Sequence, residues 1–273
     1  MTSLYIRLRN KISQLLYRKN YYLSKVIRPQ VPPTPLLNLP AGFTVHTIAK
    51  TGLKVVENFC TQEEADYIIE TARKQQQLNK SQVIINGKPV DDPGRTSNHT
   101  IVFNRHHQDP KILNIIARGA MLTGVPQSHA EQVYVTRYSE GEVYHGHYDF
   151  SADFLTCHRL CTTLIYLNTL DVEQGGTTYF RDLNVASQPT VGRAVNWTNM
   201  NPDGTWHKET LHAALPPIGK DTEKWVIQLW FRPYEMHPIK EPLKALQTKP
   251  GIPLTGKETL PDGLWFPSEQ ASD

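Results

Sequence analysis

Residues 144–149 (YHGHYD) include the side chains of this sequence that are best suited to hold a metal ion. Successive side chains of a β-strand point to opposite faces, so His147 and Asp149 would project from the same face of a strand. Their Cα atoms would be about 7 Å apart, which allows both side chains to bind one ion. A later histidine, His212, would complete a set of two imidazoles and one carboxylate. On non-haem Fe(II), such a set leaves half of the octahedron open for other ligands.

Two other histidines compete for places in this set. His145 would share the face of His147, and a HxH pair is typical of cupin-type metal sites. His207 competes with His212 for the third position. A structural alternative is a buried histidine whose tautomer is held by the aspartate. A single HxD occurs often by chance, so the metal-site interpretation depends on the surrounding motifs.

The composition is that of an ordinary globular chain, with 273 residues, 20% charged residues and a formal net charge of +3. This charge is too small to predict nucleic-acid binding. Three cysteines cannot form a disulfide framework and suit a reducing compartment, so we expect a cytoplasmic or similar location. The sequence has no apolar run of about 18 residues, and charges interrupt its early apolar residues. We therefore expect a soluble protein without a transmembrane segment or signal peptide.

The chain divides into four predicted regions. Residues 1–50 form a basic arm and a Pro-rich linker, and no acidic residue precedes Glu57. The arm has apolar residues at helical spacing, which fits a helix packed on the domain, a helix that contacts a membrane surface or a protein, or a mitochondrial transit segment. Residues 51–125 carry a strand, two supporting helices and a polar, lid-like segment at 76–100. Residues 126–235 form the core, and 236–273 a Pro-rich tail.

Local signals place the two helices and the strands of the core. Thr61 and Glu64 form a capping box that opens the first helix. Asp109 and Pro110 open the second helix, and Gly124 ends it. From Glu131 onward, short β-type segments separated by Gly, Pro and Asn predict a sandwich or barrel. These segments are residues 131–138, 143–148, 160–167, 178–180, 191–196, 208–213 and 224–232.

Several motifs surround the HxD in a fixed order. They are residues 131–138 (EQVYVTRY), Gly141, Tyr144, residues 159–168 (RLCTTLIYLN), residues 175–178 with Phe180, and His212-Ala213 followed by Pro216 and Lys224-Trp225. Upstream, residues 55–64 and 95–97 extend the pattern, so that it covers about residues 52–232. In order and spacing, these motifs resemble the prolyl 4-hydroxylase branch of the 2-oxoglutarate- and Fe(II)-dependent dioxygenases.

This resemblance implies a fold and a set of site residues. The fold is mainly β, a double-stranded β-helix (jelly roll) braced by N-terminal helices. The implied metal ligands are His147, Asp149 and His212, with His212 preferred because Ala213 and Pro216 follow it. The implied residues for the cosubstrate 2-oxoglutarate are Lys224, Tyr138, Tyr166 and Thr178, and those beside the substrate are Tyr144 and Arg159.

Lys224 is the implied anchor for the carboxylate of 2-oxoglutarate that does not bind the metal. A buried carboxylate requires an opposite charge, and a charge-assisted hydrogen bond there contributes about 1.5–3 kcal/mol. Lys220 is the rival, because the spacing expected from the last histidine falls between the two lysines. Lys220 follows a Pro- and Gly-rich turn, whereas Lys224 enters the last strand of the core.

The activity implied by the resemblance is the hydroxylation of a prolyl residue, at its 4-position, in a peptide or protein. It would require Fe(II), 2-oxoglutarate, O₂ and ascorbate as reductant, and would release succinate and CO₂. The alternatives are a 2-oxoglutarate oxygenase of another substrate class or a non-catalytic, cupin-like metal-binding module. The other substrate classes are a different amino-acid residue, a small molecule and methylated nucleic acid. We expect no nucleic acid, since that branch would anchor 2-oxoglutarate with arginine.

Overall fold

The computed structural model describes residues 39–48, 52–75, 78–85, 88–104, 108–150, 159–201 and 205–236, together with the backbone of 252–254 and 264–265. The predicted basic arm, most of the Pro-rich linker and most of the tail lie outside these residues.

The two predicted helices are present, and their caps explain where they begin and end. They are α1 (Gln62–Lys74) and α2 (Pro110–Thr123). At the start of α1, the Thr61 hydroxyl accepts a hydrogen bond from the Glu64 amide, and the Glu64 carboxylate accepts one from the Thr61 amide. Asp109 caps α2, which ends at Gly124 with a left-handed φ of 72°. Three short 3-10 helices span Gln127–His129, Val172–Gln174 and Lys208–Thr210.

Sixteen strands are the other regular elements of the described chain. They are β1 (Thr44–Ile48), β2 (Leu53–Glu57), β3 (Asn79–Lys80), β4 (Val83–Ile85), β5 (Lys88–Val90), β6 (Asn98–Phe103), β7 (Val133–Tyr138), β8 (Tyr144–His147), β9 (Cys161–Tyr166), β10 (Thr178–Phe180), β11 (Val185–Ser187), β12 (Ala194–Thr198), β13 (His212–Ala214), β14 (Lys224–Phe231), β15 (Ile252–Leu254) and β16 (Leu264–Trp265).

The strands form a larger and a smaller sheet with jelly-roll topology, as predicted. The nine-stranded sheet has the order β15-β1-β2-β12-β9-β14-β7-β6-β3, and the five-stranded sheet has the order β16-β11-β10-β13-β8. Their pairings are antiparallel except that of β1 with β15. A separate hairpin joins β4 and β5.

Strand β14 divides the apolar interior into two clusters. Ile227 and Leu229 point to one face and share the larger cluster with residues of both helices, such as Ile68 and Ile112. Val226 points to the other face, into a second cluster between the two sheets. This alternation was predicted from the sequence. The helices therefore brace the outer face of the large sheet, and the space between the sheets is left for the site.

Three details differ from the sequence-based expectation. The predicted lid-like segment 76–100 contains β3, β4, β5 and the start of β6. The predicted strand 208–213 is instead a 3-10 turn followed by β13, and the strands β1, β11, β15 and β16 are not among those predicted. Both β11 and β13 have only three residues, too few to show a clear alternation. Neither helix in the described part of the chain has the length and apolarity needed to span a membrane.

Candidate metal centre and adjoining cavity

The structure brings together the three predicted metal ligands. Strands β8 and β13 pair so that His147 lies opposite His212. The strand prediction was wrong for Asp149, because β8 ends at His147 and Asp149 occupies the bend that follows. Its carboxylate oxygens nevertheless lie 3.8 Å from His147 Nε2 and 3.9 Å from His212 Nε2. The potential ligand atoms of these residues all lie within 4.8 Å of one another.

Hydrogen bonds to carbonyl groups fix which histidine nitrogen faces the site. His147 Nδ1 lies 2.8 Å from the His145 carbonyl oxygen, and His212 Nδ1 lies 2.9 Å from that of Thr210. A carbonyl only accepts, so each Nδ1 carries a proton, and Nε2 of each ring is the nitrogen that faces the Asp149 carboxylate. Burial lowers the pKa of His147 well below its usual value, with a further contribution from His212. This favours the neutral imidazole, which is the form that binds metals.

A chain of two hydrogen bonds positions the Asp149 carboxylate. Thr162 on β9 donates to Asp149 Oδ2 at 2.7 Å, and Asn199 donates to the Thr162 hydroxyl at 2.9 Å. Burial opposes ionisation of Asp149, but His212, His147 and Arg159 outweigh it and lower its pKa to about 2. The carboxylate is therefore charged at neutral pH. Sequence reasoning missed Thr162 and Asn199, although alternation along β9 places Thr162 on the inner face.

An irregularity in β8 brings Tyr144 to the metal ligands. Ala214 pairs with Tyr144 while His212 pairs with His147, so β8 has one extra residue over this interval. The Tyr144 ring consequently stacks on the His147 imidazole, with centroids 3.4 Å apart and planes at 17°. The Arg95 guanidinium lies 4.4 Å from the centroid of the Tyr144 ring. Tyr144, predicted beside the substrate, is thus next to a metal ligand.

The two rival histidines lie elsewhere. His145 is exposed, and its side chain lies near Gly94. His207 Nε2 lies 3.4 Å from a carboxylate oxygen of Glu209. Within the described ranges, neither belongs to a group of residues that could hold a metal ion.

A cavity adjoins the metal ligands between the two sheets. Besides His147, Asp149 and His212, it is lined by Tyr138, Tyr144, Thr162, Leu164, Thr178, Trp197, Ala214, Lys224, Val226 and Gln228. Three of these, Lys224, Val226 and Gln228, alternate along β14. One face of β14 therefore packs against the helices, and the other face forms part of the cavity wall.

Lys224 is a buried cation in this cavity, with an exposed fraction of 1%. Its ammonium group donates to the Thr178 hydroxyl at 3.2 Å and lies 5.3 and 5.6 Å from the ring centroids of Tyr138 and Tyr166. Burial lowers its pKa to about 7. No carboxylate in the described part of the chain pairs with it. Lys220, the rival, is exposed.

The two predicted cosubstrate tyrosines differ in position. Tyr138 lines the cavity, and burial raises its pKa to about 12, so its hydroxyl remains protonated and able to donate. The Tyr166 hydroxyl instead donates to the Ser187 carbonyl at 3.1 Å, and Tyr166 is not among the residues lining the cavity. Its ring lies near the Lys224 ammonium group without lining the cavity.

Arg159 lies at the edge of the metal site. It forms two hydrogen bonds with Glu131, of 2.8 and 3.1 Å, and its guanidinium group lies 3.4 Å from the centroid of the Trp230 ring. Its Nη1 is 4.0 Å from Asp149 Oδ1. Burial would raise the pKa of Glu131, but Arg159 and Arg232 outweigh it and lower that pKa. The buried Glu131 carboxylate, which also binds Arg232, therefore holds the Arg159 side chain in place.

The donor set and the buried cation fit Fe(II) and 2-oxoglutarate. Two imidazoles and one carboxylate form the facial arrangement of non-haem Fe(II) oxygenases. The Lys224 ammonium group offers an opposite charge for a dicarboxylate bound in the same cavity. Fold and site together define the class of 2-oxoglutarate- and Fe(II)-dependent oxygenases.

Comparisons with known proteins agree with this class. The 2OG-Fe(II) oxygenase superfamily matches residues 133–232. Probable prolyl 4-hydroxylases 3 and 10 of Arabidopsis thaliana are each 32% identical to this chain, over 64% and 66% of it and over 67% and 68% of their own lengths. A viral collagen prolyl hydroxylase from Paramecium bursaria Chlorella virus 1, solved as its 2-oxoglutarate complex, superposes with a TM-score of 0.51 at 26% identity. That match covers 65% of this chain and 94% of the viral one. The chain belongs to the prolyl 4-hydroxylase branch of the 2-oxoglutarate- and Fe(II)-dependent dioxygenases.

Proposed function

We propose that this dioxygenase hydroxylates prolyl residues of a peptide or protein at the 4-position, releasing succinate and CO₂. The observation that carries the proposal is the buried Lys224 ammonium group, without a carboxylate partner in the described chain, in the same cavity as the His147, Asp149 and His212 side chains. The similarity to prolyl 4-hydroxylases supports the choice of substrate.

In this proposal, His147 and His212 bind Fe(II) through Nε2, and Asp149 binds it through a carboxylate oxygen. The bound iron and 2-oxoglutarate supply the oxidative chemistry, in which O₂ is activated and 2-oxoglutarate is decarboxylated. The protein orients these groups and excludes water. Ascorbate is the expected reductant that keeps the iron in its ferrous state.

Lys224 binds the carboxylate of 2-oxoglutarate that is remote from the metal. The ammonium group already lies against the Thr178 hydroxyl, and Tyr138 lines the same cavity. A bound carboxylate would raise the pKa of Lys224 again by supplying the missing opposite charge. We assign Tyr166 a supporting role, since its hydroxyl is engaged by the Ser187 carbonyl.

Tyr144 and Arg159 are proposed to contact the substrate. Both lie against metal ligands, Tyr144 on His147 and Arg159 near Asp149. A Pro-rich peptide is already extended and loses little conformational entropy on binding, so an aromatic ring and a cation beside the metal could hold it without a deep pocket.

Peptide hydroxylation tests this function. The enzyme is incubated with Fe(II), 2-oxoglutarate, ascorbate and a Pro-rich peptide, and matched controls contain the same peptide with alanine for every proline. We expect succinate release to match the formation of 4-hydroxyproline, and no coupled turnover with the alanine peptide. Coupled turnover of free proline, lysyl peptides or methylated nucleic acid, with none of prolyl peptides, would reject the substrate assignment.

For the basic arm at residues 1–50, which lies outside the described residues, we propose contact with a membrane surface or a protein. Its excess of basic residues supports this role. Co-sedimentation with vesicles containing anionic lipid tests the membrane option. A reducing compartment is supported by the free, buried thiols of Cys60 and Cys161.

A further inference from the structure

Trp197 lies in the wall of the cavity on the side of the metal ligands. It is on β12, opposite Thr162 of β9, and has an exposed fraction of 2%. Its ring lies edge-on to the His212 imidazole, with centroids 4.7 Å apart and planes at 62°. It also contacts the Phe180 ring at 5.0 Å. A large aromatic side chain thus supports a metal ligand and borders the cavity.

The indole Nε1 of Trp197 has no hydrogen-bond partner among the described residues. An indole nitrogen can only donate, and buried donors in native proteins nearly always find an acceptor. Trp225 follows this rule, since its Nε1 donates to a Glu223 carboxylate oxygen at 2.9 Å. The Trp197 donor is therefore available for an acceptor that binds in the cavity.

We propose that Trp197 Nε1 donates a hydrogen bond to 2-oxoglutarate, at the carboxylate next to the keto group. This inference rests on the proposed function, because it requires that 2-oxoglutarate binds in this cavity. The position of Trp197 in the cavity indicates which of the two carboxylates of 2-oxoglutarate it contacts. Trp197 contacts His212 and pairs with Thr162, whose hydroxyl binds Asp149, so it lies at the metal end. Lys224, against Thr178, serves the other carboxylate.

Two donors would then fix the two ends of the cosubstrate. An ammonium group neutralises the remote carboxylate, and a neutral indole N–H orients the carboxylate near the metal. A neutral donor adds direction without adding charge next to the imidazoles. Trp197 is in these terms a positioning residue for 2-oxoglutarate.

NMR of the indole groups provides a direct test. The protein has five tryptophans, and Trp197→Phe identifies the indole cross-peak of Trp197 by its loss. Zn(II) replaces Fe(II) as a diamagnetic ion. We expect the Trp197 indole proton to move downfield when 2-oxoglutarate is added to the Zn(II)-loaded protein, beyond any shift that Zn(II) alone causes. The Trp225 and Trp230 signals serve as controls and should remain in place. Trp230 Nε1 also has no partner among the described residues, but Trp230 does not line the cavity.

Calorimetry of 2-oxoglutarate binding gives the second readout, without turnover. Trp197→Phe should bind 2-oxoglutarate about 10- to 150-fold more weakly than the wild type, the range expected for a lost hydrogen bond to a charged group. Trp225→Phe should bind it with unchanged affinity. Circular dichroism and Zn(II) affinity establish that Trp197→Phe is folded and retains its metal site.

The results separate this inference from the proposed function. If the wild type binds 2-oxoglutarate but the Trp197 signal does not move, or if Trp197→Phe keeps the wild-type affinity, the inference is wrong and the proposed function stands. A Trp197 signal that responds to Zn(II) but does not move further when 2-oxoglutarate is added also overturns it, because the indole would then report only the metal. If the wild type does not bind 2-oxoglutarate, both fail.

Discussion

At the scale of single residues, hydrogen bonds with neighbouring groups fix the orientation of the three metal ligands. The carbonyls of His145 and Thr210 orient the two imidazoles, and Thr162 holds one oxygen of Asp149. Such outer partners typically contribute tenfold to a hundredfold to metal affinity. The site therefore depends on more residues than the HxD and the distant histidine.

We expect Thr162→Val to weaken metal binding by about tenfold or more, because Asp149 loses its hydroxyl donor while the side-chain volume is kept. Competition with a coloured chelator measures the Zn(II) dissociation constant. Thr163→Val is the matched control. Thr163 is the next residue on β9, is also buried, and hydrogen-bonds Asn196 instead of a metal ligand. Equal losses in the two variants would contradict the role of Thr162.

Lys224→Met should lower the affinity for 2-oxoglutarate by about tenfold or more, since a buried carboxylate would lose its opposite charge. Lys220→Met, in an exposed position, should bind 2-oxoglutarate like the wild type. Calorimetry with the Zn(II)-loaded variants measures both constants. The reverse pattern would transfer the anchor to Lys220.

The same lysine predicts how stability depends on pH when no cosubstrate is bound. Burial lowers the pKa of Lys224 from 10.5 to about 7. Between these values the unfolded chain holds the proton and the folded chain does not, so wild-type stability increases as pH rises through this window. Lys224→Met has no ammonium group at this position, so its stability lacks this pH dependence. It should be more stable than the wild type by up to about 5 kcal/mol near pH 6, and the difference should shrink towards pH 10.

Urea unfolding of both proteins at about pH 6 and about pH 9.5 measures this difference. A gap in unfolding free energy that is constant with pH, or that widens as pH rises, would show that Lys224 is not a desolvated cation in the folded protein.

At the scale of secondary-structure elements, the sequence predicted those features that depend on neighbouring residues in the chain, such as helix ends and the two faces of a strand. The capping residues Thr61 and Asp109 predicted the starts of both helices, and Gly124 the end of the second, because caps satisfy backbone groups within one turn. Alternation along β14 predicted its two faces. The residue types and spacing of His147, Asp149 and His212 predicted a set of metal ligands, and the fold brings these three side chains together.

Other features depend on contacts between elements and could not be read locally. The irregularity that turns Tyr144 towards His147 exists only in the pairing of β8 with β13. Tyr166 was predicted at the pocket, but its hydroxyl meets a carbonyl of β11, a strand too short to predict. The roles of Thr162, Asn199 and Trp197 appear only when β9 and β12 pair beside the metal ligands.

The junction between β12 and the corner that precedes α1 predicts one large effect on stability. Gly192 has a φ of 77°, and a Cβ there would lie 2.4 Å from the Cys60 carbonyl oxygen. Its own carbonyl accepts a hydrogen bond from the Phe59 amide. Gly192→Ala should therefore destabilise the fold by roughly 3 kcal/mol or more, from backbone strain and a clash with main chain.

Gly52→Ala is the control that measures the cost of the left-handed backbone conformation without a steric clash. Gly52 has a similar φ of 68°, but a Cβ there would meet no described atom within 4 Å. We expect a loss of about 1 kcal/mol. Urea unfolding measures both variants, and equal losses would contradict the close contact at Gly192.

At the scale of the whole molecule, folding and metal binding are largely separate. The larger apolar cluster includes residues of both helices and lies on the face of the large sheet that is turned away from the cavity and the three metal ligands. Three protein ligands also leave an open site, unlike the closed sites of structural zinc. The fold should therefore survive the loss of the metal.

Removal of the metal by a chelator should lower the melting temperature by only a few degrees and leave the circular dichroism spectrum unchanged. Added Zn(II) and 2-oxoglutarate should together raise the melting temperature above that with Zn(II) alone. A chelated protein that is unfolded at 25 °C would contradict the separation of folding from metal binding.

The central claim is that His147, Asp149 and His212 hold an iron to which 2-oxoglutarate can bind in the cavity of Lys224. Anaerobic titration of the metal-free protein with Fe(II) and then with 2-oxoglutarate tests this most directly, by visible absorption. The account predicts a charge-transfer band that saturates at one equivalent of iron, disappears in His212→Ala, and remains in His207→Ala. Absence of the band in the wild type, or its persistence in His212→Ala with loss in His207→Ala, would contradict the account.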